Sequence, residues 1–338
     1  MSNEQQPTDG DNGPIIIADD LIGLSNRLLQ DADDGSSDRA TSIASSSTSL
    51  ASSIMNHRIE NEYSYPNDEK ENDRLDLQHN IFLLTLDYRL GLAPPAQEGS
   101  KIKRVLDVGT GTGIWCIEFG DEHPDAEVVG IDLSPAQTAF VPPNVKFEVD
   151  DLEEPWTYHT KFDYIHTRVM TSSIADWKSF LEPGGYIELQ EAHMRPDCDD
   201  GTLKPDSPLI EWVDRLEEAC NIFGRPFIHC PSLKPLLEEV GFEDVSVTKY
   251  KWPINAWPKD PHYRELGIWN LENMLEGVEG WSMAPFTRAL EWTKEEVNVF
   301  LISVRNELKN KNVHAYIPVY MIHARKPLKE AEENEEAS

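Results

Sequence analysis

The sequence is poor in cysteine, in positive charge and in long apolar runs. Its 338 residues include 4 cysteines, and 30 Lys+Arg stand against 61 Asp+Glu, a formal net charge of −31. The cysteines are far apart and form no Cys-x-x-Cys pair, which argues against a disulfide framework or a metal site. So acidic a chain is not expected to bind nucleic acid directly through a basic face.

Neither a membrane span nor a signal peptide is indicated. No apolar run approaches the roughly 20 residues that a spanning helix needs. The polar N-terminus lacks the basic-then-apolar pattern of a secretory signal. We therefore expect no membrane association and a cytoplasmic location. The acidic tail has no basic import cluster, so entry into the nucleus would require a partner.

Composition divides the chain into four parts. Residues 1–56 are acidic and Ser-rich, bury too little apolar surface to offset chain entropy, and are predicted to be disordered. Residues 57–100 form an N-terminal helical segment, whose apolar face runs from Ile81 to Leu90 and whose helix is expected to stop at Pro94. Residues 101–328 form the main domain, with a helical insertion at about 254–312. Residues 329–338 are a second disordered tail.

The main domain alternates short apolar runs with helix-length stretches. This pattern predicts β–α–β units and hence a mostly parallel sheet in an α/β fold. A helix is predicted at 114–122 and another at 233–240. The predicted strands are 104–108, 127–131, 145–149, 162–166, 185–189, 245–252 and 315–323.

Three alternating glycines, Gly109, Gly111 and Gly113, follow the first strand and precede a helix. Glycine accepts a positive φ and lets a ligand approach the backbone closely, and ligands of open α/β sheets lie at strand ends. The loop is not a dinucleotide fingerprint, because Ile114 stands where G-x-G-x-x-G requires its third glycine, and no phosphate-binding P-loop is present.

Acidic residues end three successive predicted strands. Asp107 suits a cationic amino group, Asp132 suits the two hydroxyls of a ribose, and Asp150 or Asp151 with Leu152 suits an adenine. Such a set favours a positively charged nucleoside without phosphates, a description that S-adenosylmethionine (SAM) fits. Alternatively, Asp107 merely caps the turn, and the Asp150–Asp151 pair is a solvated loop.

These motifs resemble class I SAM-dependent methyltransferases and, more narrowly, the LaeA-like (UMTA-type) methyltransferases of filamentous fungi. The resemblance covers roughly 56–327 and implies a Rossmann-like, seven-stranded, mostly parallel sheet, with N-terminal helices and a helical insertion before the last strand. The segments that carry it are 105–113, 130–135, 142–147, 150–156 and 182–186, with 67–69, 74–79, 286–288 and 325–327.

The resemblance also implies positions in a SAM site. It places the glycines at the methionine part, Asp132 at the ribose and Asp151 with Leu152 at the adenine, without deciding between Asp150 and Asp151. One departure from the family is the segment 172–181 before the Pro-Gly-Gly turn, which is about two helical turns shorter than usual. The candidate cofactor residues are Asp107, Gly109, Thr110, Gly111, Gly113, Asp132, Leu133, Asp150, Asp151, Leu152 and His166.

Two histidines are candidate catalytic bases. His166 and His193 each stand at or near a strand end, and Glu191 is positioned to orient His193; a packing or hydrogen-bonding role is the alternative for both. His229 and Cys230 stand in a loop that is able to enter the pocket. Arg168, just after the fourth predicted strand, also has two possible roles. Arg168 is expected to pair with a local carboxylate rather than to hold an acidic substrate.

The aromatic insertion bears on the acceptor. Most of its large side chains are expected to form a helical core and a minority to face an apolar pocket; they are Trp257, Tyr263, Trp269, Met274, Trp281, Met283, Phe286 and Trp292.

The sequence supports two candidate functions. One is methyl transfer to a small fungal metabolite, at oxygen by preference. The other is a LaeA-like regulatory protein that binds SAM and reaches protein partners through its N-terminal tail.

Overall fold

A computed structural model of the chain describes residues 69–138, 140–154, 158, 160–170, 173 and 185–326. The predicted disordered parts 1–56 and 329–338 lie outside the described residues, as does all of the shortened segment 172–181 except Ser173. The strands are β1 (Arg104–Val108), β2 (Glu127–Asp132), β3 (Val145–Val149), β4 (Tyr164–Arg168), β5 (Gly185–Ala192), β6 (Asp197–Cys198), β7 (Glu243–Pro253) and β8 (Ala315–Lys326). The helices are α1 (Glu69–Thr85), α2 (Ile114–Glu122), α3 (Pro208–Ile222), α4 (Leu233–Glu239), α5 (Pro261–Arg288) and α6 (Lys294–Leu308).

All of the described strands join one sheet. Strands β3, β2, β1, β4 and β5 are parallel neighbours in that order, and β8 runs antiparallel to β5 and β7. The predicted mostly parallel α/β fold is therefore confirmed. The seven long strands correspond to the predicted ones, whereas β6 was not predicted. It has two residues and pairs only with Ala315 and Tyr316 at the start of β8, too short a run to leave a periodic signal.

Strand β1 lies between β2 and β4, and this arrangement determines where a ligand lies. The chain leaves β1 towards β2 and β3 on one side, and towards β4 and β5 on the other. A crevice therefore opens outside the carboxyl ends of β1 and β4, which is where ligands bind in open α/β sheets. Within it, Asp107 of β1 stands directly beside His166 of β4.

Helix α1 ends earlier than predicted. It stops at Thr85 rather than at Pro94, because Asp87 and Tyr88 adopt left-handed backbone angles with φ of 52° and 61°. Pro94 lies instead in a short 3-10 turn. Thr85 is held in place by its hydroxyl, which accepts a hydrogen bond from Trp252 Nε1 at 2.8 Å.

Helix α3 is absent from the sequence-based prediction. Local chemistry explains its start, since the Ser207 side chain accepts the N–H of Leu209 and Pro208 occupies the first turn. Its apolar side packs into the core around Trp212, whose Nε1 donates to Ser282 Oγ of α5 at 2.8 Å.

The aromatic insertion is mainly core, as expected. Met274, Phe286 and Trp257 are buried, whereas Trp269 keeps 41% of its surface exposed. The partly buried residues packed against the same core include Tyr263, Trp281, Met283 and Trp292. Helix α6 begins with a capping box between Thr293 and Glu296. No helix in the described part of the chain is both long and apolar enough to cross a membrane.

Candidate active site

The three glycines make a bend that other residues would strain. Gly109, Gly111 and Gly113 have φ of 70°, 57° and 81°, a region that side chains with a Cβ rarely adopt. The bend is tied to β2 because the N–H groups of Gly109 and Thr110 both donate to the Ile131 carbonyl, at 2.9 and 3.0 Å. Space is also limited, since a Cβ on Gly113 would lie 2.3 Å from the Phe147 ring.

Asp132 ends β2 beside this bend. Its carboxylate accepts the N–H of Gly111 at 2.9 Å and both the N–H and the hydroxyl of Ser134 at 3.0 and 3.2 Å. Burial raises the pKa of Asp132, while these hydrogen bonds oppose the rise. A carboxylate has about four acceptor positions. Both hydroxyls of a ribose therefore fit only if a present donor, most simply the rotatable Ser134 hydroxyl, turns away.

Asp107 and His166 form a buried pair at the crevice. His166 Nδ1 lies 2.7 Å from Asp107 Oδ1, and the imidazole stacks on the Trp115 ring with centroids 3.8 Å apart and planes within 2°. A carboxylate accepts, so Nδ1 carries the proton in this contact. His166 Nε2 is buried and has no hydrogen-bond partner among the described residues. In the neutral tautomer it is therefore an unused acceptor.

Arg168 lies two residues further along β4. Its Nε donates to Gln190 Oε1 at 2.9 Å, its Nη1 donates to His79 Nδ1 at 3.0 Å, and its guanidinium lies 4.2 Å from the Phe82 ring centroid. The expected ion pair is wrong, because no carboxylate of the described residues lies within bonding distance of Arg168. Burial lowers its pKa to about 10, which still leaves it charged at neutral pH.

The contacts of His79 of α1 allow only one tautomer of its imidazole. Arginine only donates, so His79 Nδ1 must accept and its Nε2 carries the proton. That Nε2 donates to Glu118 Oε2 of α2 at 2.9 Å. Burial lowers the pKa of His79, partly offset by Glu118, in agreement with a neutral ring. Helix α1 makes a further contact with the bend, since Thr112 donates to Asp76 Oδ1 at 2.6 Å.

These groups line one cleft beside the glycine bend. Its walls come from the bend, from β1 and β4, from the start of α2 and from α1; the insertion is not among them. The lining residues are Leu75, Gln78, His79, Asp107, Gly109, Thr110, Gly111, Thr112, Ile114, Trp115, His166 and Arg168. The cleft thus brings together the predicted Asp107, Gly109, Thr110, Gly111 and His166.

The α1 residues of this wall were not predicted to belong to the site. The available signal was Gln78 and His79, a polar pair just before the apolar stripe that begins at Ile81. Both side chains are buried, with 8% of Gln78 and 2% of His79 exposed. Periodicity alone does not tell such a pair from the end of an apolar face.

The predicted adenine residues form a turn of their own. Asp151 Oδ1 accepts the N–H of Glu153 at 3.0 Å, and Asp150 Oδ1 accepts the N–H of Asp151 at 2.9 Å. Leu152 is half-buried against the core, and Leu133 keeps 47% of its surface exposed. The carboxylates thus have a structural role as turn caps, and their contact with an adenine stays a prediction.

His193 lies away from the glycine bend. Its ring meets the edge of His229, with centroids 5.2 Å apart, and burial lowers its pKa. Glu191 accepts the Met170 N–H at 3.0 Å, and no described hydrogen bond joins it to His193. Cys230 is fully buried in the core, so it does not enter a pocket.

The fold and the site together define a class of protein. Class I SAM-dependent methyltransferases share four features with this chain. These are a parallel sheet that reverses its strand order beside β1, a three-glycine bend after β1, an acid at the end of β2, and no phosphate-binding loop. Comparison with known proteins agrees with this class. A family model described as "Methyltransferase domain" matches residues 77–247.

Curated relatives match most of the chain. "Methyltransferase pytC" of Aspergillus terreus is 40% identical over 320 residues, covering 89% of this chain and 97% of the relative. "Secondary metabolism regulator LAE1" of Cochliobolus heterostrophus is 39% identical, covering 78% and 90%. "Protein-methionine methyltransferase laeA" of Emericella nidulans is 35% identical, covering 79% and 73%. The chain belongs to the methyltransferase-domain family and is a SAM-dependent methyltransferase.

The residues of the cleft fit SAM. Gly111 has no side chain, which leaves room for a ligand. An added Cβ would lie 3.3 Å from Leu75 and would narrow that room. Two buried polar atoms on cleft residues, His166 Nε2 and Arg168 Nη2, have no partner in the described part of the chain. Buried polar atoms are rarely left unpaired in native proteins, so such a pair at one cleft indicates that a polar ligand completes them.

Proposed function

We propose that this protein methylates a small-molecule acceptor of fungal secondary metabolism, with the acceptor activated at the Asp107–His166 pair. The observation that carries the proposal is the buried, unused Nε2 of His166 beside the glycine bend. The relative named methyltransferase pytC, which aligns over nearly its whole length, supports the enzymatic part. The relative named "Secondary metabolism regulator LAE1" supports the setting in secondary metabolism.

The residues at and beside the cleft have different tasks in this proposal. Bound SAM supplies the methyl group as an electrophile. Asp132 and the glycine bend hold the cofactor, and Asp107 fixes the proton of His166 on Nδ1, so that Nε2 is free to take the proton of an acceptor hydroxyl. A base of this kind contributes about 10²–10⁴-fold in rate. Because the cofactor brings the reactive group, positioning and exclusion of water are the protein's main contributions.

The test uses SAM labelled in its methyl group. Purified protein is incubated with an extract of a fungal strain that carries this gene, and label is measured separately in the organic-soluble and the protein fractions. We expect label in small molecules, lost with Asp132→Ala and retained with Arg305→Gln, a surface ion-pair variant. Label found only in protein, or equal label with both variants, contradicts the proposal.

The role of His166 has its own test. His166→Asn is expected to lower kcat by about 10²–10⁴-fold, while SAM binding persists. A control is His193→Asn, because His193 lies outside the cleft lining. If His193→Asn lowers kcat to this extent and His166→Asn does not, the assignment is reversed.

A second candidate function is a regulatory one, favoured by the relatives named as regulators of secondary metabolism. In this version the domain binds SAM while residues 1–56, acidic and Ser-rich, bind protein partners. Deletion of 1–56 distinguishes the two functions. Methylation of a small molecule is expected to survive the deletion, whereas capture of partners in a pull-down is expected to fall. A deletion that leaves capture unchanged contradicts the tail-mediated version.

A further inference from the structure

The cleft contains two opposite charges that do not pair with each other. Asp107 is engaged by His166 and, at 3.5 Å, by the Cys116 thiol. Arg168 is engaged by neutral groups only, Gln190 and His79. Both charged residues line the same space beside the glycine bend. Such separated charges match a ligand that carries both a cation and an anion.

The sheet register places Arg168 nearer the mouth of the crevice. Asp107 pairs with His166 across β1 and β4, and Arg168 follows two residues later on the same face. At about 3.3 Å per residue, it lies roughly 7 Å further towards the carboxyl edge. Arg168 therefore stands at the level of the bend that follows Asp107, where a ligand lying on the glycines comes next to it.

The guanidinium of Arg168 is held in place by its neighbours, but not all of its N–H groups have an acceptor. Gln190 cannot rotate freely, because its amide nitrogen donates to the Leu90 carbonyl at 2.9 Å and to Glu188 at 3.0 Å. This leaves its oxygen for Arg168 Nε. His79 fixes Nη1, and Phe82 supports the planar group from below. Nη2 is buried with no acceptor among the described residues.

A planar, charged donor group with one nitrogen that lacks an acceptor favours a carboxylate. We propose that Arg168 binds the carboxylate of the methionyl group of SAM, and that neutral His79 of helix α1 positions it. The proposal rests on the proposed SAM site in this cleft. It makes helix α1, which lies outside the sheet and its connecting loops, part of cofactor recognition. Arg168 is the binding residue and His79 is a positioning residue.

The experiment compares two ligands that differ in one group. Calorimetry measures the Kd of S-adenosylhomocysteine and of decarboxylated S-adenosylhomocysteine, which keeps the amino group and lacks only the carboxylate. Wild-type protein is expected to prefer the first by about 10- to 100-fold, the size of a charge-assisted hydrogen bond. Arg168→Met is expected to abolish most of this preference while changing the Kd of the decarboxylated ligand by less than about threefold. Arg305→Met is the matched control and retains the preference.

His79 is tested by substitution with and without an acceptor. His79→Gln keeps an oxygen able to accept from Arg168 and is expected to retain much of the preference. His79→Leu removes the acceptor and is expected to lose it. A merely structural role for His79 would weaken both ligands alike in both variants.

The outcomes separate the possible failures. Wild-type protein that binds both ligands equally overturns the carboxylate assignment, even where no variant folds. Equal weakening of both ligands by Arg168→Met, or no weakening of either, overturns it as well. Wild-type protein that binds no S-adenosylhomocysteine overturns the proposed SAM site itself.

Discussion

Substitution of Gly113 by alanine tests whether the glycine bend is constrained by its backbone or by its neighbours. Gly113 has φ of 81° and stands immediately before α2. An added Cβ would lie 2.3 Å from Phe147 Cζ and 2.7 Å from Cε1. The ring is confined on a second side, because a Cβ on Gly130 would also meet it at 2.7 Å. Phe147 therefore has little freedom to move away.

Two costs add in Gly113→Ala. A left-handed conformation costs a residue with a Cβ roughly 1–2 kcal/mol, and forcing a methyl group into a packed region costs typically about 1–3 kcal/mol. The free energy of unfolding is therefore expected to fall by roughly 2–5 kcal/mol. That is a large share of the ~5–15 kcal/mol typical of a domain.

The measurement is equilibrium unfolding in urea, followed by circular dichroism. Gly224→Ala is the matched control, since Gly224 has φ of 71° and nothing within 4 Å of an added Cβ. It carries the backbone cost alone, so the difference between the two variants measures the contact with Phe147. Gly113 ends the bend whose Gly109 and Gly111 line the cleft, so Gly113→Ala is expected to weaken SAM binding while Gly224→Ala is not.

A double variant identifies the cause. Phe147→Leu shortens the side chain under Gly113, and in that background Gly113→Ala is expected to cost no more than Gly224→Ala does. Equal costs for the two glycine variants in the wild-type background would refute the steric reasoning. The steric reasoning would also be refuted if Gly113→Ala lowered the free energy of unfolding as much in the Phe147→Leu background as in the wild type.

Three further predictions concern the site and its support. Asp132→Ala is expected to weaken SAM and S-adenosylhomocysteine by about 1–3 kcal/mol in calorimetry; unchanged affinity would mean that the ribose is held elsewhere. Thr85→Val removes the acceptor of the buried Trp252 N–H and is expected to cost about 1–3 kcal/mol in urea unfolding, whereas a neutral effect would show the bond to be dispensable. Because the pKa of His79 is lowered from its ordinary 6.5, the folded state binds fewer protons than the unfolded chain below that pH. Stability then falls as pH drops through 6.5 towards the folded pKa, and His79→Phe should reduce this slope.

Much of the candidate site follows from local sequence. The acid–glycine pattern after an apolar strand predicts Asp107 and Gly109 at one strand end, and both line one cleft, because a strand, a bend and a helix in succession leave few backbone paths. The same reasoning failed for Arg168, which was expected to pair with a local carboxylate. The neighbours of a buried side chain come from other parts of the chain, and here they are Gln190 and His79.

The sequence by itself determined the α/β class, the glycine bend and the acid at the end of β2, since each depends on residues close together in the chain. Tertiary structure alone decided that α1 closes the cleft, that His166 rather than His193 faces it, and that Arg168 meets neutral partners. The hydrogen bonds of Arg168 in the cleft join residues 22 and 89 positions apart, and hydrophobic periodicity carries no information about which distant elements pack together.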